Sequence, residues 1–211
     1  MQTTIGAFRG TGGVPIHTVH HRGESPAGAH VVIAHGLAEH SGRYDWTAER
    51  LVDAGYEVHA LDHRGHGRSG GRLGYVDSFT ALVDDLSAFV RTVKADHRGE
   101  PVFLLGHSMG GLAVTALATR GQVVVDGIVL SGPALAPGDD FDPATLAAAK
   151  VLGRLTPGFG VQRLDAAHVS RDPEVVARYL DDPLNFTGKL PARTGAQLLE
   201  TIERTTAQLA A

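Results

Sequence analysis

The chain has 211 residues, 43% hydrophobic and 20% charged, with a net charge of −4. That length suits one domain with a substantial core and room for an appended subdomain, and the negative balance gives no electrostatic case for nucleic-acid binding. The absence of cysteine excludes a disulfide scaffold, a thiolate zinc site and a cysteine nucleophile. The first residues, MQTTIGAFRGTGG, lack an apolar h-region, and no apolar run approaches the roughly 18 residues of a membrane span. The expected location is therefore cytoplasmic.

In chain order, Val14 to His20 alternates as a strand does, with Gly12-Gly13 as the turn before it. His30 to Ala34 is a short β-branched run of the kind that forms a buried strand. Tyr44 to Ala54 carries apolar residues at Trp46, Ala48, Leu51 and Val52 and stops at Gly55, which predicts a helix. Tyr56 to Leu61 is the next strand. Phe79, Leu82, Val83, Leu86, Phe89, Val90 and Val93 recur at helical spacing, so Ser78 to His97 is an amphipathic helix, capped by Asp77 or Ser78. Val102 to Leu105 is a strand, Leu112 to Thr119 a helix closed by Gly121, and Val125 to Leu130 a strand. Helices between strands imply right-handed crossovers and a mostly parallel sheet. After Ser131 only helices and turns are expected. Asp142-Pro143 and Asp172-Pro173 are helix starts, and Gln197, Leu198, Leu199, Ile202 and Leu209 mark a last helix. The division is an α/β core over residues 1–135 and a helical cap over 136–211.

Gly106-His107-Ser108-Met109-Gly110 lies between a strand and a helix. A serine on such a tight turn projects its hydroxyl above the sheet edge. The residues two before and two after it must be small, because the backbone folds back on itself there. The helix N-terminus adds N–H donors and a dipole that favours developing negative charge. This predicts Ser108 as a nucleophile, although 27 glycines make a bare Gly-x-Ser-x-Gly match less telling. A second oxyanion donor has to come from another loop. His35-Gly36-Leu37 follows a strand at the right place, so the backbone N–H groups of Leu37 and Met109 are the expected donors. The competing reading makes His35-Gly36 a plain turn.

Three stretches resemble the monoacylglycerol lipase and lysophospholipase group of α/β hydrolases: His35-Gly36-Leu37-Ala38-Glu39-His40-Ser41-Gly42-Arg43-Tyr44, Asp62-His63-Arg64-Gly65-His66-Gly67-Arg68-Ser69, and Leu105-Gly106-His107-Ser108-Met109-Gly110-Gly111. Ser170-Arg171-Asp172-Pro173 and Asp182-Pro183-Leu184 are similar to segments of that family's cap. The resemblance implies an α/β-hydrolase fold and a serine hydrolase acting on a monoacylglycerol or a similar lipid or carboxylic ester through an acyl-Ser108 intermediate, with no cofactor. Gly36, Glu39 and His40 would shape the substrate pocket, or Glu39 and His40 serve only hydrogen bonds within the loop. The apolar cap residues Leu146, Val151, Leu152, Leu155, Phe159 and Val161 can line an acyl tunnel, touch a membrane face peripherally, or pack the cap on the core.

A serine nucleophile needs a base, and the base an orienting acid, in the chain order serine, acid, histidine. His168 is the single histidine after Ser108, and the acids before it include Asp126, Asp139, Asp140, Asp142 and Asp165. Ser108, Asp140 and His168 satisfy the order, yet His168 falls in the cap-like part. By the resemblance, acid and histidine follow two further strands after the cap. The final strands of the sheet are therefore expected to be missing here, with the acid and base beyond residue 211. The strand at Val125 to Leu130 would then be an exposed apolar edge prone to pairing with other chains, making the chain poorly soluble. His107 diverges from its neighbour on the elbow, and the place of His35 in the oxyanion loop argues against it as base. A hydrolase-like fragment without turnover is the alternative.

Twelve histidines raise a third reading. His59, His63 and His66 with Asp62 are crowded enough to suggest a metal-dependent hydrolase. Against it, His59 and Asp62 share no clean strand face, His63 and His66 sit in the family-like glycine turn, and no further cluster completes a site. No metal is expected.

Overall fold

The computed structural model describes residues 1–25, 27–137 and 143–210, with the side chains of 143–146, Gln162 and His168 excepted. A six-stranded sheet forms the centre, in the order β1 (Gln2–Arg9), β2 (Pro15–Arg22), β4 (Tyr56–Leu61), β3 (Ala29–Ala34), β5 (Val102–His107), β6 (Gly127–Ser131). The last four strands are parallel, and β1 and β2 add an antiparallel edge. The fold is the expected α/β-hydrolase arrangement of a mostly parallel sheet with flanking helices.

The β-branched run at β3 is buried on both faces, which is why it reads as continuous rather than alternating. Val31 and Ile33 pack with Val58, Ala48 and Val52 under helix α1 (Asp45–Asp53). Val32 and Ala34 face a larger cluster under α2 (Phe79–Asp96) and α3 (Met109–Thr119). The periodic apolar residues of α2 are all buried, each stabilising the fold by about 1.5–3 kcal/mol. Ser78, of the two candidate caps, accepts from the Ala81 N–H. Trp46 is the exception to the predicted apolar face of α1, since it is 72% exposed.

Two expectations are corrected. The expectation of no strand after Ser131 fails, because β7 (Gly160–Arg163) and β8 (Lys189–Pro191) pair antiparallel as a small second sheet. Their three or four residues are too few for a period, and only tertiary pairing fixes them. At the other end, β1 was not anticipated: QTTIGAFR is almost wholly exposed and so carries no buried-face signal. Of the helix starts, Asp172 caps α5 (Pro173–Asp181) by accepting from the Glu174 N–H, whereas Asp142 lies outside the described residues and α4 runs from Pro143 to Leu155. The last helix, α6 (Ala192–Leu209), begins five residues before Gln197 and lies against α4 and α3.

At the open edge, Ile128, Val129 and Leu130 of β6 are 40%, 55% and 39% exposed, as expected of an apolar edge strand. Among the described residues no helix is long and apolar enough to cross a membrane.

Candidate active site

Ser108 sits between β5 and α3 with φ 49° and ψ −115°. A non-glycine residue at positive φ stores about 1–3 kcal/mol of strain, which the surroundings must hold in place. Its N–H donates to the Ser131 carbonyl at the end of β6, and its carbonyl accepts from the N–H groups of Leu112 and Ala134. The flanking glycines are compulsory. A Cβ at Gly110 would lie 2.0 Å from the Ala34 carbonyl oxygen, and one at Gly106 would lie 2.7 Å from the Gly110 carbonyl oxygen. The elbow is thus pressed against the end of β3.

The loop leaving β3 faces the elbow. A Cβ on Gly36 would come within 3.3 Å of the Ser108 Cβ. Glu39, buried, staples this loop: Oε1 accepts from the Gly36 N–H at 2.6 Å and from the Tyr44 hydroxyl at 2.7 Å, and Oε2 accepts from Arg43 at 2.6 Å. The Gly36 N–H is therefore spent on Glu39. Among the described residues, neither the Leu37 nor the Met109 N–H has a protein acceptor. Burial, with the Glu39 charge beside it, pushes the Tyr44 phenol far above its usual range. The phenol therefore keeps the proton it donates to Glu39.

Gly36, Leu37, Glu39, Arg43, Tyr44 and Ser108 line a cavity of about 620 Å³, joined by Leu164, Asp165, Val169 and Tyr179 from beyond the core. His40 lies outside that lining. Its Nδ1 accepts from the Gly42 N–H and its Nε2 meets Asp182 at 2.8 Å. Burial opposes the Asp182 charge, but the bonds from His40 and the Leu184 N–H outweigh it and hold the carboxyl below its usual range. Tyr179 donates to the Ala38 carbonyl, which also accepts from the Phe186 N–H, and Arg43 lies 4.8 Å over the Tyr179 ring. Sequence reasoning gave no separate role to Arg43, Tyr44, Ser131, Tyr179 or Asp182. The first two stand inside the family-like stretch. Asp182 opens the cap-like stretch Asp182-Pro183-Leu184, 142 residues from His40, while Ser131 and Tyr179 touch the loops from 24 and 141 residues away and leave no local signal.

The histidines fall where the bases were sought. His35 is fully buried with both ring nitrogens engaged: Nδ1–H donates to the Gly36 carbonyl at 2.7 Å and Nε2 accepts from the His63 N–H at 2.9 Å. His107 turns its Nδ1 to Ser131 rather than to Ser108. Neither is placed as a base. Asp126 accepts from the Val102 N–H at the opposite end of β5. Asp139, Asp140 and the side chain of His168 lie outside the described residues. The set His59, His63, His66 and Asp62 is not assembled. His63 and His66 pack against His35, His59 stacks on His20 at 4.4 Å, and Asp62 accepts from the N–H groups of Ser41 and Arg68. Burial raises the Asp62 carboxyl, but those N–H bonds more than offset it and bring it below its ordinary value.

Comparison with known proteins agrees with the fold. The family model described as serine aminopeptidase, S33, matches residues 25–211. A monoacylglycerol lipase of Mycolicibacterium smegmatis is 47% identical over 194 residues, covering 92% of this chain and 69% of that protein. A monoglyceride lipase of Rattus norvegicus is 36% identical, covering 82% of this chain and 58% of its own length. Among solved structures, a monoacylglycerol lipase of Paleococcus ferrophilus superposes with a TM-score of 0.76 at 34% identity, over 99% of this chain and 73% of that one. A soluble variant of the Saccharomyces cerevisiae monoglyceride lipase, solved with a substrate analog, shares the fold with a TM-score of 0.82 at 22% identity, over 97% and 69%. The chain belongs to the serine aminopeptidase S33 family of α/β hydrolases, in its monoacylglycerol lipase and lysophospholipase group.

Proposed function

We propose that the chain carries the nucleophile of a serine carboxylic-ester hydrolase of the monoacylglycerol lipase type. The observation that carries this reading is the strained Ser108 elbow at the wall of the cavity, with the Gly36–Leu37 loop against it. In the reaction, the Ser108 oxygen attacks the ester carbonyl and loses its proton to a base. The carbonyl oxygen becomes an oxyanion held by the Leu37 and Met109 N–H groups. Collapse expels the alcohol and leaves an acyl-Ser108 ester, which water hydrolyses. Gly36 and Glu39 shape the pocket wall; His40 acts at one remove, by fixing the loop to Asp182.

A lipid substrate finds support in the printed activity of the relatives and in the apolar surface beyond the core. Val151, Leu155 and Phe159 are 53%, 75% and 62% exposed, with Leu152 and Val161 nearby. Such residues are not used to pack against the core, which favours peripheral contact with a lipid face. The side chain of Leu146 lies outside the described residues.

One observation favours a second reading, binding without turnover. Among the described residues no imidazole hydrogen-bonds the Ser108 hydroxyl. A fluorophosphonate probe with monoacylglycerol and short-chain ester assays tests both. Labelling and turnover, lost in Ser108→Ala, support the hydrolase. Stoichiometric binding of a monoacylglycerol without labelling supports the second reading. Labelling that survives Ser108→Ala rejects Ser108 as nucleophile. Loss of turnover in His168→Ala, with Ser108 intact, would place the base at His168.

A further inference from the structure

The sheet has a second cluster of reactive side chains at the end away from Ser108. On β4, Glu57 and His59 stand two residues apart and so share one face. In register, His30 of β3 lies opposite Glu57, and His20 of β2 lies opposite His59. His97, the residue that ends α2, closes over them. One ligand atom from each of His30, Glu57, His59 and His97 lies within 4.8 Å of the other three. His30 Nδ1 is 3.2 Å from His59 Nε2 and 3.9 Å from Glu57 Oε2. The first distance is close to the edge of about 3.3 Å in a tetrahedron with zinc–nitrogen bonds of about 2.0–2.1 Å.

Around those atoms stands an outer layer of the kind metal sites need. His30 turns its far nitrogen, Nε2, to Glu100 at 2.5 Å, which leaves Nδ1 facing the cluster. Glu57 is held by His20 Nε2 at 2.7 Å. A carboxylate on the far nitrogen fixes the ring's orientation and makes the near nitrogen a better donor to a metal. The cluster is also enclosed, with His30 1% and His59 6% exposed. Burying several imidazoles face to face is costly unless something uses their lone pairs.

We propose that His30, Glu57, His59 and His97 bind one divalent transition-metal ion of the zinc class. Three imidazole nitrogens and one carboxylate oxygen complete four-coordination, which leaves no open position and makes the site structural rather than catalytic. The ion fastens the C-terminal end of α2 to β3 and β4. His30 lies four residues from the Ala34 end of β3, about 13 Å along the strand at its rise per residue, so the ion takes no part at Ser108.

The test uses the whole chain, stripped with a chelator and dialysed, then titrated calorimetrically with zinc chloride and spectroscopically with cobalt(II). One equivalent of either metal, a tetrahedral cobalt spectrum and a higher melting temperature with zinc are expected. His97→Asn, at the half-buried rim, and His59→Gln should each abolish the cobalt spectrum and the zinc-dependent melting shift. Glu100→Gln should keep the stoichiometry while weakening zinc by about 10- to 100-fold. Circular dichroism establishes that each variant is folded; should His59→Gln fail that check, His97→Asn decides alone. Substoichiometric zinc binding by the unaltered chain overturns the proposal, and so does tight binding undiminished in folded His97→Asn.

Discussion

The three histidines around the loop after β3 predict a steep loss of stability in mild acid. His35, His63 and His66 are at most 1% exposed. Burial, reinforced by the neighbouring imidazoles, drives His66 down to about 3 and His63 well below its ordinary 6.5, and burial lowers His35 as well. Below pH 6.5 the unfolded chain takes up a proton on each ring that the native state refuses. Stability is therefore complete above pH 6.5 and falls with pH down to the folded-state values, near 3 for His66. For one such ring the loss from pH 7 to pH 5 is about 2 kcal/mol. His66 alone thus contributes about 2 kcal/mol, a sizeable part of a typical total of about 5–15 kcal/mol, and His63 adds to the loss in the same direction. Urea unfolding followed by tryptophan fluorescence and circular dichroism at pH 7, 6 and 5 measures this, in the original chain and in His66→Gln. The variant should lose about 2 kcal/mol less between pH 7 and 5, whatever its stability at pH 7. Equal losses in the two proteins, or stability that is flat across the range, would refute the argument.

Three further outcomes follow from named contacts. Glu39→Gln removes the charge that holds Arg43 and weakens the acceptor for Gly36. It should cost about 3 kcal/mol in urea unfolding and speed hydrogen exchange at the Gly36 amide, while unchanged exchange would show that the loop holds itself. Asp85 accepts from Arg64 Nε and Nη2 and from the Thr11 N–H, tying the β1–β2 turn to α2. Asp85→Ala strands a guanidinium and should cost about 3–5 kcal/mol. Val129→Lys places a charge on the exposed β6 edge and should shift sedimentation from higher species toward monomer. A parent chain already monodisperse at high concentration would remove the reason for that expectation.

What the residues disclosed in advance, and what they did not, divides along sequence distance. The elbow was legible because its demands are local: Gly106 and Gly110 leave no room for a Cβ, and both flanking elements carry their own periodic signals. Helix α2 was legible for the same reason, with seven apolar residues at helical spacing and all of them buried. The second wall of the cavity was not legible. Tyr179, in that wall, reaches Ala38 across 141 positions with nothing nearby to mark it, and Asp182, although it opens a cap-like stretch, reaches His40 across 142 positions behind the wall. The strands β7 and β8 were missed because pairing, not propensity, makes them strands. Edge strand β1 was missed because an exposed strand needs no apolar face.

The histidines show most clearly why residue type alone could not assign roles. Their number suggested metal, catalysis or neither, and the sheet sorts them by end. At the carboxyl ends of the strands, His35 and His66 spend ring nitrogens on backbone groups, the carbonyls of Gly36 and Arg64 and the His63 N–H. Those rings act as neutral spacers that set the course of two loops, and protons are excluded from them. At the amino ends of β3 and β4, His20 and His30 face the carboxylates of Glu57 and Glu100, while His30 and His59 meet nitrogen to nitrogen. A carboxylate or a carbonyl on one ring nitrogen fixes the tautomer and leaves the other lone pair free; at His35 that lone pair already accepts from the His63 N–H, whereas at His30 it faces His59 and Glu57. His59 belongs to the second group although it lies only four positions from His63. A metal set drawn from that stretch of sequence therefore joined His59, inside β4, to residues of the turn beyond the end of that strand.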